Sequence, residues 1–217
     1  MTPSPHAPAN PPADRRLTLD DIADLRAYEH ERDERRAQVI ALKRRRRVAV
    51  GTLVSVVFEN RETVRFQVQE MVRAERMGTD AQVQAELDAY NPLIPGPGEL
   101  SATVFIELTD EAQLREWLPK LVGIEHHFEL RFGPEAAAAE TVAGEPDAAH
   151  EEALTRTDVT STVHYLRFRL TREQVARVAA GPVWLVCVHP DYREAVLLGG
   201  ETRDELVADL GGDNRGR

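Results

Sequence analysis

A single cysteine, Cys187, in 217 residues excludes an intrachain disulfide. It also excludes an iron–sulfur cluster carried by this chain alone, since such clusters usually take four thiolates. The thiol sits in the apolar run Val183-Trp184-Leu185-Val186-Cys187-Val188 and reads as a small buried hydrophobe, whereas a reactive thiolate needs an electropositive, partly exposed setting. No apolar run approaches the roughly 20 residues that span a bilayer. Pro and Asp stand near the N-terminus where a signal peptide would carry its apolar segment, so the chain reads as a bacterial-type cytosolic protein. Positive charge is in deficit: 27 Lys and Arg against 37 Asp and Glu give a net charge of -10. That balance argues against a nucleic-acid binder, whose affinity comes from neutralising phosphates, and against an anionic membrane surface as partner. A nucleotide-binding loop, a catalytic triad and a recognisable metal-ligand spacing are missing too.

The remaining pattern predicts an α+β chain. Residues 1–14, dominated by Pro, Ala, Ser and Asn, are too poor in large apolar groups to offset the entropy of ordering and read as a disordered tail. Thr18 before Asp20 and Asp21 predicts a capped helix start, with helix continuing, broken near His30, to about Arg46. The basic run Lys43–Arg47 then reads as a solvated helix end. Val48 to Phe58 is expected as one strand, and Arg61 to Met77 as an amphipathic helix with Val64, Val68, Met71 and Val72 on one side. A further helix runs from Asp80 to Tyr90 and stops at Asn91-Pro92, before the loop Pro95-Gly96-Pro97-Gly98. Residues 102–132 and 162–188 each read strand, helix, strand, which predicts a mixed or antiparallel sheet with a ferredoxin-like βαββαβ order. The expected layout is a single domain over 15–210, with a helical part to residue 98, the βαββαβ part over 99–198 and a mobile insertion over 133–160. A short helix from about Glu201 to Leu210 and a flexible tail end the chain.

Chemistry concentrates in Ile124-Glu125-His126-His127-Phe128-Glu129-Leu130, where strand alternation would set His126 on an apolar face and Glu125, His127 and Glu129 on the other. His164 and His189 also fall in expected strands. Imidazole and carboxylate ligands without thiolates suit non-haem iron, manganese or zinc, so the candidate ligands are His126, His127, His164 and His189 with Glu125 or Glu62. A simple hairpin of 124–132 with 162–170 places Leu130 opposite His164 and Phe168 opposite His126, which separates those two histidines by roughly 13 Å. Hydrogen-bonded structural histidines are the competing reading. A second candidate is the helix side shared by Glu62, Gln69, Arg73 and Arg76, expected as solvated surface.

Longer phrases carry a resemblance. Leu42-Lys43 through Val48, Phe58-Glu59-Asn60-Arg61-Glu62-Thr63-Val64, Gln67-Val68-Gln69-Glu70-Met71, Glu86-Leu87-Asp88-Ala89-Tyr90-Asn91-Pro92-Leu93-Ile94-Pro95, Gly123-Ile124-Glu125-His126-His127 and His164-Tyr165-Leu166-Arg167-Phe168 resemble the bacterial domain of unknown function 3501 family over residues 16–198. Members of that family are typically encoded beside rubrerythrin-like proteins and iron–sulfur oxidoreductases, so the resemblance implies a redox or peroxide-defence setting. It brings no established activity and no assigned catalytic residues. The expectation is an accessory protein that docks on an iron–sulfur oxidoreductase or rubrerythrin-like partner; the alternative is a metal-dependent enzyme or sensor built on the His/carboxylate set. A nucleic-acid role for Lys43–Arg47 ranks well behind these, no membrane partner is expected, and edge strands of a small sheet leave room for a homodimer.

Overall fold

The computed structural model describes residues 15–138, 140–147 and 159–211. Two units divide it: one takes in the chain through Arg44 and Glu59–Gly96, the other Arg45–Phe58 and the chain from Pro97 on. In chain order the elements are α1 (Leu25–Arg46), β1 (Arg47–Val50), β2 (Val54–Glu59), α2 (Arg61–Ala74), α3 (Asp80–Tyr90), β3 (Glu99–Ile106), α4 (Glu111–Lys120), β4 (Phe128–Phe132), β5 (Thr141–Ala143), β6 (Glu145–Pro146), β7 (Val163–Arg169), α5 (Arg172–Ala180), β8 (Val183–His189), β9 (Tyr192–Leu197) and α6 (Gly200–Leu210). An α+β fold is thus established. The expected tails at 1–14 and 212–217 lie outside the described residues.

The first unit is helical, and local chemistry sets its helix ends. The Asn60 side chain accepts from the Thr63 N–H at 3.0 Å while the Thr63 hydroxyl accepts from the Asn60 N–H at 2.9 Å, a reciprocal cap that starts α2. Val64, Val68 and Val72 form its buried stripe. The helix ends before the expected Met77 because Arg76 turns left-handed, φ +53°, and the Met77 N–H reaches back to the Val72 carbonyl. α3 matches its expected bounds, capped by Thr79. The start of α1 does not. Thr18 and Asp21 close only a short 3-10 turn, Leu19–Asp21, and Asp24 caps a separate helix, so the break falls at 22–24 instead of near His30.

One ionic cluster ties α1 to α2. Glu70 accepts from Tyr28 at 2.8 Å and from Arg32 at 2.9 Å on both oxygens. The Arg32 guanidinium, helped by the Tyr28 hydroxyl, holds the Glu70 carboxyl down to about 2. Because the folded value lies below the ordinary 4.5, this carboxylate stabilises the fold above that pH and the contribution disappears as pH falls from 4.5 through about 2. Acid titrations of stability should therefore be shallower for Glu70→Gln than for the wild type across that window; superimposable curves would contradict the assignment.

The second unit contains two antiparallel-paired sheets, ordered β1-β2-β3-β7-β6 and β5-β4-β8-β9. The expected strand Val48–Phe58 is a hairpin, bent at Gly51 with φ +70°, a conformation that favours glycine. A side chain there would also collide with Tyr192, whose hydroxyl donates to the Val50 carbonyl at 2.6 Å and accepts from the Leu53 N–H at 3.0 Å. Both strand-helix-strand repeats exist, β3-α4-β4 and β7-α5-β8, and the Thr171–Gln174 capping box opens α5.

The ferredoxin-like sheet does not form. β3 and β7 pair as that order requires, but β2 takes the place beside β3 that β8 would fill, and β6 takes the place beside β7 that β4 would fill. Displaced from both flanks, β4 and β8 pair with each other, Phe128 opposite Cys187 through Phe132 opposite Val183. Phe128, Leu130 and Phe132 on β4 then join Leu100, Ala102, Val104 and Phe168 of the first sheet in one buried core. The simple hairpin register is likewise corrected: Val104, and not Leu130, lies opposite His164. The insertion expected over 133–160 supplies β5 and β6, while residues 139 and 148–158 fall outside the described residues.

The basic run does more than end a helix. Arg46 is fully buried, 0 % exposed, and donates from Nε to the Phe58 carbonyl at 3.0 Å. It pairs with Asp209 and, at 3.2 Å, with Glu205 on α6. Arg45 reaches Glu205 at 2.7 Å, and the Thr202 hydroxyl donates to the Arg45 carbonyl at 2.7 Å. The run thus builds the second unit and is not simply a solvated helix end. Cys187 is buried, which pushes its thiol up to about 11. A thiol titration at pH 8 should find it inert in the native protein and fully reactive in denaturant; native labelling at the rate of a free thiol would contradict this burial. No helix among the described residues is long and apolar enough to cross a membrane.

Candidate functional site

The histidine stretch follows α4 through Gly123, whose φ of +82° suits glycine and lets the chain turn into the 3-10 turn Ile124–His126. The His126 N–H bonds the Gly123 carbonyl at 3.1 Å and the His127 N–H bonds the Ile124 carbonyl at 3.0 Å. Strand alternation therefore begins only at Phe128. Within the turn the faces are opposite to the sequence expectation: Glu125 is buried at 2 % exposure, and the His126 side chain is half exposed.

Glu125 meets two imidazoles. Its Oε2 lies 3.6 Å from Nδ1 of buried His164 on β7, and its Oε1 lies 4.0 Å from Nε2 of His126. Both separations suit ion pairing and exceed a hydrogen bond. The other face of His164 is anchored: Nε2 stands 2.9 Å from the Ser161 carbonyl and 3.0 Å from the Thr160 hydroxyl. Hydroxyl, imidazole and carboxylate in that sequence resemble a nucleophile relay. The tautomer rules against it. A carbonyl only accepts, so Nε2 carries its hydrogen toward Ser161 and has no lone pair with which to take the Thr160 proton. Thr160 is also buried. With Nε2 spoken for, Nδ1 is the position that confronts the carboxylate, and a proton placed there makes the contact favourable. The arrangement sets a buried carboxyl beside a buried imidazole and so joins the turn before β4 to strand β7.

The other two histidines form a separate pair, with rings edge to face at 4.9 Å between centroids. His127 donates from Nδ1 to the Gly123 carbonyl at 2.8 Å, which leaves Nε2 its lone pair. His189 accepts the Asp191 N–H on Nδ1 at 3.2 Å and donates from Nε2 to the Val122 carbonyl at 3.2 Å. In that state it offers a metal no lone pair. Glu62 belongs to the first unit, where Arg65 reaches it at 3.0 Å. The structure thus brings together Glu125, His126 and His164 and, separately, His127 and His189, all in the second unit, whereas Glu62 belongs to the first. Among the described residues no three His, Cys, Asp or Glu side chains are grouped so as to hold a metal ion.

The second candidate face is only partly solvated. Gln69 is buried and bonds the Ala23 backbone in both directions, at 2.9 and 3.0 Å, while Arg73 pairs with Glu70 at 3.3 Å. Sequence reasoning passed over Thr160 and Ser161, the residues that fix the His164 ring. The available signal was a pair of hydroxyl residues three and four places before a histidine at a strand start.

Comparison with known proteins matches these features to a family. The model for protein of unknown function (DUF3501) covers residues 16–210. A crystal structure of a protein of unknown function from Burkholderia pseudomallei is 38% identical, covers 89% of this chain and 98% of its own, and superposes with a TM-score of 0.80. A search of curated proteins finds no match. The match from residue 16 to residue 210 takes in both units and every histidine of the candidate site, and the chain belongs to the DUF3501 family.

Proposed function

We propose that this chain is an accessory protein that docks on an iron–sulfur oxidoreductase or rubrerythrin-like partner in a redox or peroxide-defence system, and works through its surface instead of chemistry of its own. The observation that carries the reading is the use of the imidazoles: buried His189 has both ring nitrogens on backbone groups, and half-buried His127 and buried His164 have one each on a backbone carbonyl. Rings held in this way serve the fold. The class of partner comes from the family's gene setting, an association that names a system and no mechanism. Mixing the purified chain anaerobically with each type of partner at tens of micromolar and following mass by light scattering tests the proposal. A complex with either supports it; elution of every component at its own mass rejects it.

A second reading is a metal-dependent enzyme or sensor with iron, manganese or zinc on Glu125, His126 and His164. It is favoured by the Glu125 carboxylate facing two imidazoles at 3.6 and 4.0 Å. Loading would require the three groups to draw together. Near-stoichiometric metal in untagged protein, lost in His126→Ala with the fold intact, would support this reading; metal far below stoichiometry would remove it.

A further inference from the structure

The first unit carries a cavity of about 430 Å³, open to solvent on one side, that neither reading above uses. Its apolar wall comes from Leu19 and Ile22 in the segment before α1, Leu25 at the start of α1, Val72 near the end of α2, Met77 in the turn after it, and Val83 on α3. Val72 and Met77 are buried, whereas Leu19, Ile22, Leu25 and Val83 are half-buried. Four aliphatic side chains thus leave apolar surface open toward one concavity, at a volume within the roughly 300–1,000 Å³ common for small-molecule sites.

The lining also carries charges of both signs, Asp24, Arg26 and Asp80. Asp24 spends Oδ1 on the Arg26 and Ala27 N–H groups that begin α1. The Arg26 and Asp80 side chains have no partner among the described residues. This combination selects a ligand class. A neutral hydrocarbon would fill the apolar wall and cover the charges without compensating them, at a cost in desolvation. A fatty acid would pair with Arg26 but face two carboxylates, and an alkylamine would pair with the carboxylates but face the guanidinium. A zwitterion with an apolar substituent answers all three.

We infer that this cavity is a binding site for a free apolar α-amino acid. The side chain packs among Leu19, Ile22, Val72 and Met77, the ammonium meets Asp80 and Asp24, and the carboxylate meets Arg26. The inference is independent of partner docking and of metal binding, because it concerns the first unit and a ligand that neither reading requires.

Titration calorimetry of the full-length chain with L-leucine, L-methionine and L-phenylalanine tests it. 4-Methylpentanoate and isoamylamine serve as single-charge analogues of leucine. At least one amino acid should bind at or below millimolar concentration, with each analogue of leucine about tenfold weaker or worse than leucine itself if leucine is the binder. Arg26→Gln and Asp80→Asn should each weaken that amino acid about tenfold, and far-UV circular dichroism should stay unchanged because both positions are exposed. No binding by any of the three amino acids overturns the inference. So do analogues that bind as well as leucine, or an affinity that both substitutions leave untouched.

Discussion

Asp209→Ala should cost about 3 kcal/mol of unfolding free energy, one of the two largest single-residue losses expected in this chain. The cause is the burial of Arg46, which has no access to water and relies on Asp209, Glu205 and the Phe58 carbonyl. Removing Asp209 leaves a buried guanidinium short of its closest counter-charge, a loss that solvent cannot make good. Glu205→Ala should cost less, about 1 kcal/mol, because Glu205 is 22% exposed and its pairs are partly screened. The reading is clean because Trp117 and Trp184 both lie in the second unit, so urea denaturation followed by their fluorescence reports the unit that holds Arg46. The double variant Arg46→Met with Asp209→Leu provides the control. It removes both charges, and much of the loss should return. An Asp209→Ala midpoint shift worth under 1 kcal/mol would mean that Arg46 is held adequately by its other contacts.

The Arg46 result bears on what the sequence could say. A basic run at a helix end is usually solvated, and nothing in Lys43–Arg47 itself distinguishes the one arginine whose counter-charge arrives 163 residues later. Local signals were legible wherever the physics is local. The bounds of α3 and the alternation of Phe128 and Leu130 follow from neighbours a few residues apart. The ferredoxin-like expectation failed for the opposite reason. Both repeats are real, but sheet order depends on which strand occupies each edge of β3 and β7, and that competition was decided by β2 and β6. The β1–β2 hairpin was read as one strand, and β6 is only a two-residue strand inside a segment read as insertion. The candidate site shows the same division. Glu125, His126 and His164 were singled out by residue type, yet the face on which each sits turns on Gly123, which replaces an extended start by a 3-10 turn and reverses inside and outside for two residues.

His164→Ala is expected to match the Asp209 loss, at about 3 kcal/mol. It removes the donor to the Ser161 carbonyl, opens space in a buried site and withdraws the imidazole that faces the Glu125 carboxylate. Glu125→Gln keeps the shape and removes the charge, so it should cost less, roughly 1–2 kcal/mol. The decisive quantity is the coupling between them. If the 3.6 Å contact is a true charge contact, the His164→Ala cost should fall by about 1 kcal/mol or more in the Glu125→Gln background. A coupling indistinguishable from zero would mean that the imidazole and carboxylate are neighbours without mutual stabilisation, each held by its own surroundings. That outcome would also take away the observation that favours metal at this position, because a carboxylate indifferent to the imidazole beside it is a poor start for a shared ligand set. Strong coupling would instead identify the joint between the turn before β4 and strand β7 as an electrostatic one, placed in the part of the second unit where the two sheets come together.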